Sequence, residues 1–143
     1  MKIIRRGSAR WQGGFKDGRG TLSTQSGALK DAPYGVASRF EETPGTNPEE
    51  LIAAAHAGCF TMAFSLFLGE ANLTAEQMET SAKVTLEQVE GGFAITAVHL
   101  ALQAKIPGAD QEIFEKLAAQ AKAGCPVSKL LKAEITLEAK LLS

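Results

Sequence analysis

Two cysteines, two histidines and a handful of charged side chains carry whatever chemistry this chain performs. Cys59 lies inside the apolar run LIAAAHAGCFTMAFSLFLGEA. In mid-helix a thiol gains little from the helix dipole, and apolar surroundings raise its pKa. To act as a nucleophile, Cys59 needs a cation beside it. His56, three positions earlier and on the same helix face, can form a Cys–His pair with it. It can equally be a core or interface histidine with a single hydrogen bond. Arg39, between Val36 and Phe40, is the other candidate cation, set against the plain reading of a surface arginine. Glu49 and Glu50 suit the first turn of a helix as dipole-compensating carboxylates. Glu49 precedes Cys59 by ten residues, about 15 Å along a helix. An arginine can link the two only from a partner helix or from another subunit. Cys125, between Gly124 and Pro126, occupies a position resembling a helix N-cap, where thiolate is favoured. From the residues alone Cys125 is the better-placed nucleophile; the alternative is an incidental thiol in a turn.

Other chemistries lack their motifs. There is no Gly-rich phosphate loop ending in Lys-Ser/Thr, no CxxC, and no close-spaced pair of zinc ligands. No metal or other cofactor is expected, and Met62 and Met78 read as gap-fillers. The net charge of −1 gives no basic surface for nucleic acid or an anionic membrane. Lys2 to Arg6 reads as a solvated strand start. No signal-peptide h-region opens the chain. The apolar tract Leu51 to Leu68, interrupted by His56, Gly58, Thr61 and Ser65, reads as too short and too polar for a membrane span. A cytoplasmic protein is expected. A structural disulfide is disfavoured there, leaving two inert thiols or one working pair.

The elements that must position these residues follow from periodicity and turn chemistry. At 143 residues and 45% hydrophobic, the chain has the size and composition of one domain with its own core. Residues 2–11 and 19–26 read as strands around a glycine-rich turn, and residues 34–40 as a further short strand. Asn47, Pro48, Glu49 and Glu50 open a helix, with Asn47 as N-cap and Glu50 as a capping-box partner. That helix runs to about residue 71 and is apolar nearly all round, so it is central or interfacial. Residues 83–89 and 93–106 alternate around Gly91-Gly92 as a hairpin. Residues 110–123 form an amphipathic helix stopped by Gly124. A short helix follows from 125 to about 132, and residues 134–142 close the chain as a strand. The order βββ-α-ββ-α-β predicts an α+β fold with antiparallel strands on one side of the helices.

The combined motifs resemble the OsmC/Ohr family of thiol peroxidases, on its OsmC branch. The resemblance rests on GTNPEELIAAAHAGCFTMAFSLFLGEA (45–71) and KAGCPVSKLLKAEITLEA (122–139). It extends to GRGTLSTQSG (18–27), PYGVASRFE (33–41) and GGFAITAVHL (91–100), with no departure at the functional positions. It implies one OsmC-like domain over 1–143, with an antiparallel sheet packed on two long helices. It also implies an intertwined homodimer whose active sites lie at the subunit interface. Cys59 corresponds to the peroxidatic cysteine and Cys125 to the resolving one; Arg39 and Glu49 correspond to the polar pair that activates the thiolate. The implied reaction reduces an organic hydroperoxide to an alcohol in oxidative or osmotic stress defence. A dithiol, such as a lipoylated protein, would be the reductant.

Phe60, Met62, Phe64 and Phe67 flank Cys59 and are expected either to line an apolar substrate pocket or to fill the core. Two other function classes compete. A Cys–His hydrolase would use Cys59 and His56, and would lose activity with His56 but not with Arg39. A non-enzymatic small-ligand-binding stress protein would have inert thiols.

Overall fold

The computed structural model describes residues 1–143. The chain forms two compact units, Met1–Leu51 and Ile52–Ser143.

The first unit is a three-stranded antiparallel sheet with a short helix. Strands β1 (Gly7–Gln12), β2 (Arg19–Thr24) and β3 (Ala32–Tyr34) lie in that order. Trp11, Gly20 and Tyr34 share one register row. The two rings meet edge to face at 5.6 Å. A Cβ on Gly20 would collide with both rings, so this position needs glycine. Residues 34–40, read above as a strand, instead end β3 and form helix α1 (Val36–Phe40). Ser38 is the cause: its Oγ accepts from Gly35 N–H at 2.9 Å and lies 2.9 Å from the Thr46 carbonyl. Such side-chain bonds compete with a sheet ladder. The buried residues of this unit are Gly20, Ser38 and Glu49, none with an apolar side chain, and β1 is exposed on both faces.

Helix α2 (Pro48–Glu70) starts in the first unit and runs through the second. Its start is as expected in part. Asn47 Oδ1 accepts from Glu50 N–H at 2.8 Å, but the Glu50 side chain accepts from Thr46 Oγ1 rather than completing a capping box. Asn72, at φ 59°, ends the helix. Bonds from Leu73 N–H to the Leu68 carbonyl and from Asn72 N–H to the Gly69 carbonyl complete a Schellman motif. By length and composition α2 could cross a membrane, contrary to the sequence expectation. However, His56, Phe60, Phe64 and Leu68 are buried at successive turns, as in the core helix of a globular unit.

The second unit's sheet holds β4 (Gln77–Val89), β5 (Gly92–Lys105) and β6 (Glu134–Leu142), with β5 central. The β4–β5 hairpin is antiparallel, starting earlier than its alternation suggested. The β5–β6 pair is parallel, which corrects the wholly antiparallel expectation. The reason is the connection: helices α3 (Gln111–Gly124) and α4 (Pro126–Leu130) intervene, and a helical crossover returns a strand parallel. Asp110 caps α3 by accepting from Ile113 N–H at 2.8 Å, worth about 1 kcal/mol. Phe60, Phe64 and Leu68 of α2 form one core with alternate residues Val98, Leu100, Leu102 and Ala104 of β5. Ile106, then Phe114, Leu117, Ala118 and Ala121 of α3, and Cys125 complete it.

Candidate functional site

The four candidate residues fall into two pairs, one in each unit. In the first unit, Arg39 ends α1 and Glu49 opens α2. Arg39 Nε and one terminal nitrogen both donate to Glu49 Oε1, at 3.1 and 2.9 Å. Two charge-assisted bonds to one oxygen lock the guanidinium plane. Asn47 holds the approach by donating from Nδ2 to the Ser38 carbonyl at 3.0 Å. Glu49 Oε2 is buried and has no partner. Arg39 keeps a 39% exposed side chain, so the guanidinium can still meet a further anion. It lies 5.4 Å from the Phe40 ring and borders a hollow of about 200 Å³ with Trp11, Phe15, Tyr34 and Val36. These aromatics were missed in the sequence; they are scattered along the chain, and only the sheet and α1 gather them.

In the second unit, Cys59 and Cys125 are brought together. The half-buried Cys59 packs against the core cluster that holds the fully buried Cys125, and the two thiols influence each other. The pair is unbridged. Burial pushes the Cys59 thiol pKa up, the Cys125 thiol adds to the rise, and a hydrogen bond from the Val127 backbone N–H opposes it. Cys125 does stand at the start of α4, with Pro126 next, but its side chain makes no capping bond. The Val127 amide, in the first turn of α4, favours the Cys59 thiolate.

His56 does not pair with Cys59. Its ring is fully buried, with Nε2 2.8 Å from Ser128 Oγ and Nδ1 without a partner. Burial lowers its pKa and so favours the neutral ring. The aromatic neighbours of Cys59 divide: Phe60 and Phe64 stack at 6.3 Å inside the core, and Phe64 meets Phe114 edge to face at 5.8 Å. Both fill the core. Phe67 is half-buried against the same core, and Met62 is 77% exposed.

The family model for OsmC-like protein matches residues 40–140. The chain is 53% identical to peroxiredoxin OsmC of Escherichia coli, over all of both chains. It is 32% identical to an organic hydroperoxide resistance protein of Xanthomonas axonopodis over 64% of this chain and 63% of that one. Among solved structures, the organic hydroperoxide resistance protein OhrB of Bacillus subtilis superposes with a TM-score of 0.70 at 27% identity. That match covers 98% of each chain. With the family model covering most of its length and a relative matching it end to end, this chain belongs to the OsmC family.

Proposed function

We propose that this protein is a thiol-dependent peroxidase of stress defence that reduces organic hydroperoxides through Cys59 and Cys125. The observation that carries the reading is the placing of Cys59 against the core cluster that holds Cys125, in a chain similar throughout to a peroxiredoxin. The full-length match also supports reading residues 1–143 as one OsmC-like domain.

The Cys59 thiolate attacks the distal oxygen of the hydroperoxide, breaking the O–O bond. Sulfur takes the oxygen, and the alkoxide takes a proton and leaves as alcohol. Cys125 then attacks the Cys59 sulfenic acid, forming a disulfide and water. A dithiol restores both thiols by exchange; a lipoylated protein is the expected donor. The Val127 amide favours the Cys59 thiolate but does not outweigh burial. Arg39, oriented by Glu49, supplies the missing positive charge and stabilises charge on the departing oxygen. The aromatic hollow beside Arg39 takes the organic group of the substrate, which favours alkyl and aryl hydroperoxides over hydrogen peroxide.

Glu49 lies about 15 Å before Cys59 along α2, so the Arg39–Glu49 pair of one chain serves Cys59 of the partner subunit in a homodimer. Two features support a dimer. The first unit buries no apolar side chain, and α2 exposes Met62 and Leu66 on a face otherwise made of small residues such as Ala54, Ala55 and Gly58. The cycle runs in the cytoplasm, where dithiol reductants are maintained.

Intact mass tests the reading. One equivalent of cumene hydroperoxide per chain, added to fully reduced protein, should remove two hydrogens, mapped to a Cys59–Cys125 bridge. Unconsumed peroxide and unchanged mass would overturn it.

A further inference from the structure

The thiol cycle leaves a polar pair beside it without a role, a buried histidine and a half-buried serine. His56 is fully buried, bonded to Ser128 at 2.8 Å, and its Nδ1 is orphaned. A buried polar atom without a partner costs stability, so packing alone would favour an apolar residue. The position of the pair supplies a reason. His56 precedes Cys59 by three residues on α2, and Ser128 follows Cys125 by three at the start of α4. Nearly one helical turn separates the two members on each side. Two rungs therefore join α2 to α4: a sulfur rung of Cys59, Cys125 and the Val127 amide, and a polar rung of His56 and Ser128.

Helix α4 has five residues, too few to hold its place unaided. Val127 and Leu131 rest against the core, while Leu130 is 76% exposed. Apolar contacts of this kind tolerate sliding; a hydrogen bond to a buried ring specifies one register. Building on the peroxidase reading, we propose that His56 and Ser128 are positioning residues for the resolving step. Their bond holds α4 in the register that aims Cys125 at the Cys59 sulfenic acid.

In that step the Cys125 sulfur attacks the Cys59 sulfur. The S–S bond forms as the S–O bond breaks, and hydroxide leaves with the Cys125 proton as water. The competing step needs a second hydroperoxide. Its distal oxygen passes to the Cys59 sulfenate, giving sulfinic acid and another alcohol. Loss of register slows the first step and spares the second, so the partition between products reports on α4.

The test treats reduced full-length protein with about ten equivalents of cumene hydroperoxide, enough for over-oxidation to compete. Non-reducing intact mass separates loss of two hydrogens from gain of two oxygens on Cys59. Ser128→Ala and His56→Asn should each shift the partition toward sulfinic acid about five- to tenfold, the effect of losing one hydrogen bond. Ser128→Thr keeps the hydroxyl and should partition as wild type. Thermal midpoints are measured on the same samples, and Ser128→Ala alone decides if His56→Asn does not fold. A lowered midpoint with unchanged partition would overturn the positioning role while leaving the peroxidase reading intact. A wild type that consumes no peroxide would overturn the peroxidase reading itself.

Discussion

Residues 52–143 bury thirteen apolar side chains in one cluster, whereas residues 1–51 bury none. The thiol pair sits on the first kind of framework and the Arg39–Glu49 pair on the second. A self-supporting core holds Cys59 and Cys125 within reach and raises the Cys59 pKa. That raised pKa is a disadvantage for a nucleophile. The coreless unit holds a cation, locked by two bonds to one carboxylate oxygen, to which the proposed mechanism gives the task of correcting it. The contrast separates two tasks. Burial brings sulfurs together but disfavours thiolate, while ion-pair geometry favours charge and needs little core.

The largest expected effect tests the sulfur side. Cys59→Ser should lower hydroperoxide consumption at least about 10³-fold, because an alcohol cannot replace the thiolate. Retained turnover in a coupled assay would move the first nucleophile to Cys125. Next, Arg39→Ala should lower the second-order rate constant about 10²-fold, the usual cost of one stabilising charge at the reacting oxygen. Iodoacetamide profiles should show Cys59 reacting only at higher pH in this variant. An unchanged profile would detach the charged pair from the thiol pair. If the proposed dimer forms, Leu66→Asp, on the exposed face of α2, should convert it to monomer in sedimentation and lower activity with it. A fully active monomer would remove the shared site.

The smaller effects concern titration. Cys125 raises the Cys59 pKa, so in Cys125→Ala alkylation of Cys59 should begin at lower pH than in wild type. The His56 pKa is lowered in the folded state by burial. Stability held by the neutral ring is therefore present above its ordinary value of 6.5 and lost as pH falls through the depressed folded value. The thermal midpoint should fall on acidification from pH about 7 toward 5. His56→Gln, which carries no titrating ring, should show less of that fall.

Much of this was legible in the residues. Asn47-Pro48-Glu49-Glu50 announced α2, the alternation around Gly91-Gly92 announced the hairpin, and Glu134–Leu142 closed the chain as read. All of these are local patterns with one period or one cap. The misreadings arose where a distant partner decided. Ser38 turned a stretch expected as strand into α1 through a bond to Thr46. The parallel β5–β6 pair was implicit in the two-helix connection, yet alternation looks the same in either direction.

The candidate site shows the same division. The family motifs singled out Cys59, Cys125, Arg39 and Glu49, because each stands in a short segment whose residue types and order survive without coordinates. Which thiol receives the Val127 amide, which partner His56 takes, and which aromatics border Arg39 were beyond reach of the chain read in one dimension. The amide could have served either sulfur, and His56 could have paired with the cysteine one turn away. Hydrogen bonds and burial depend on distances between residues far apart in sequence, such as His56 and Ser128, and only packing α4 against α2 sets those distances.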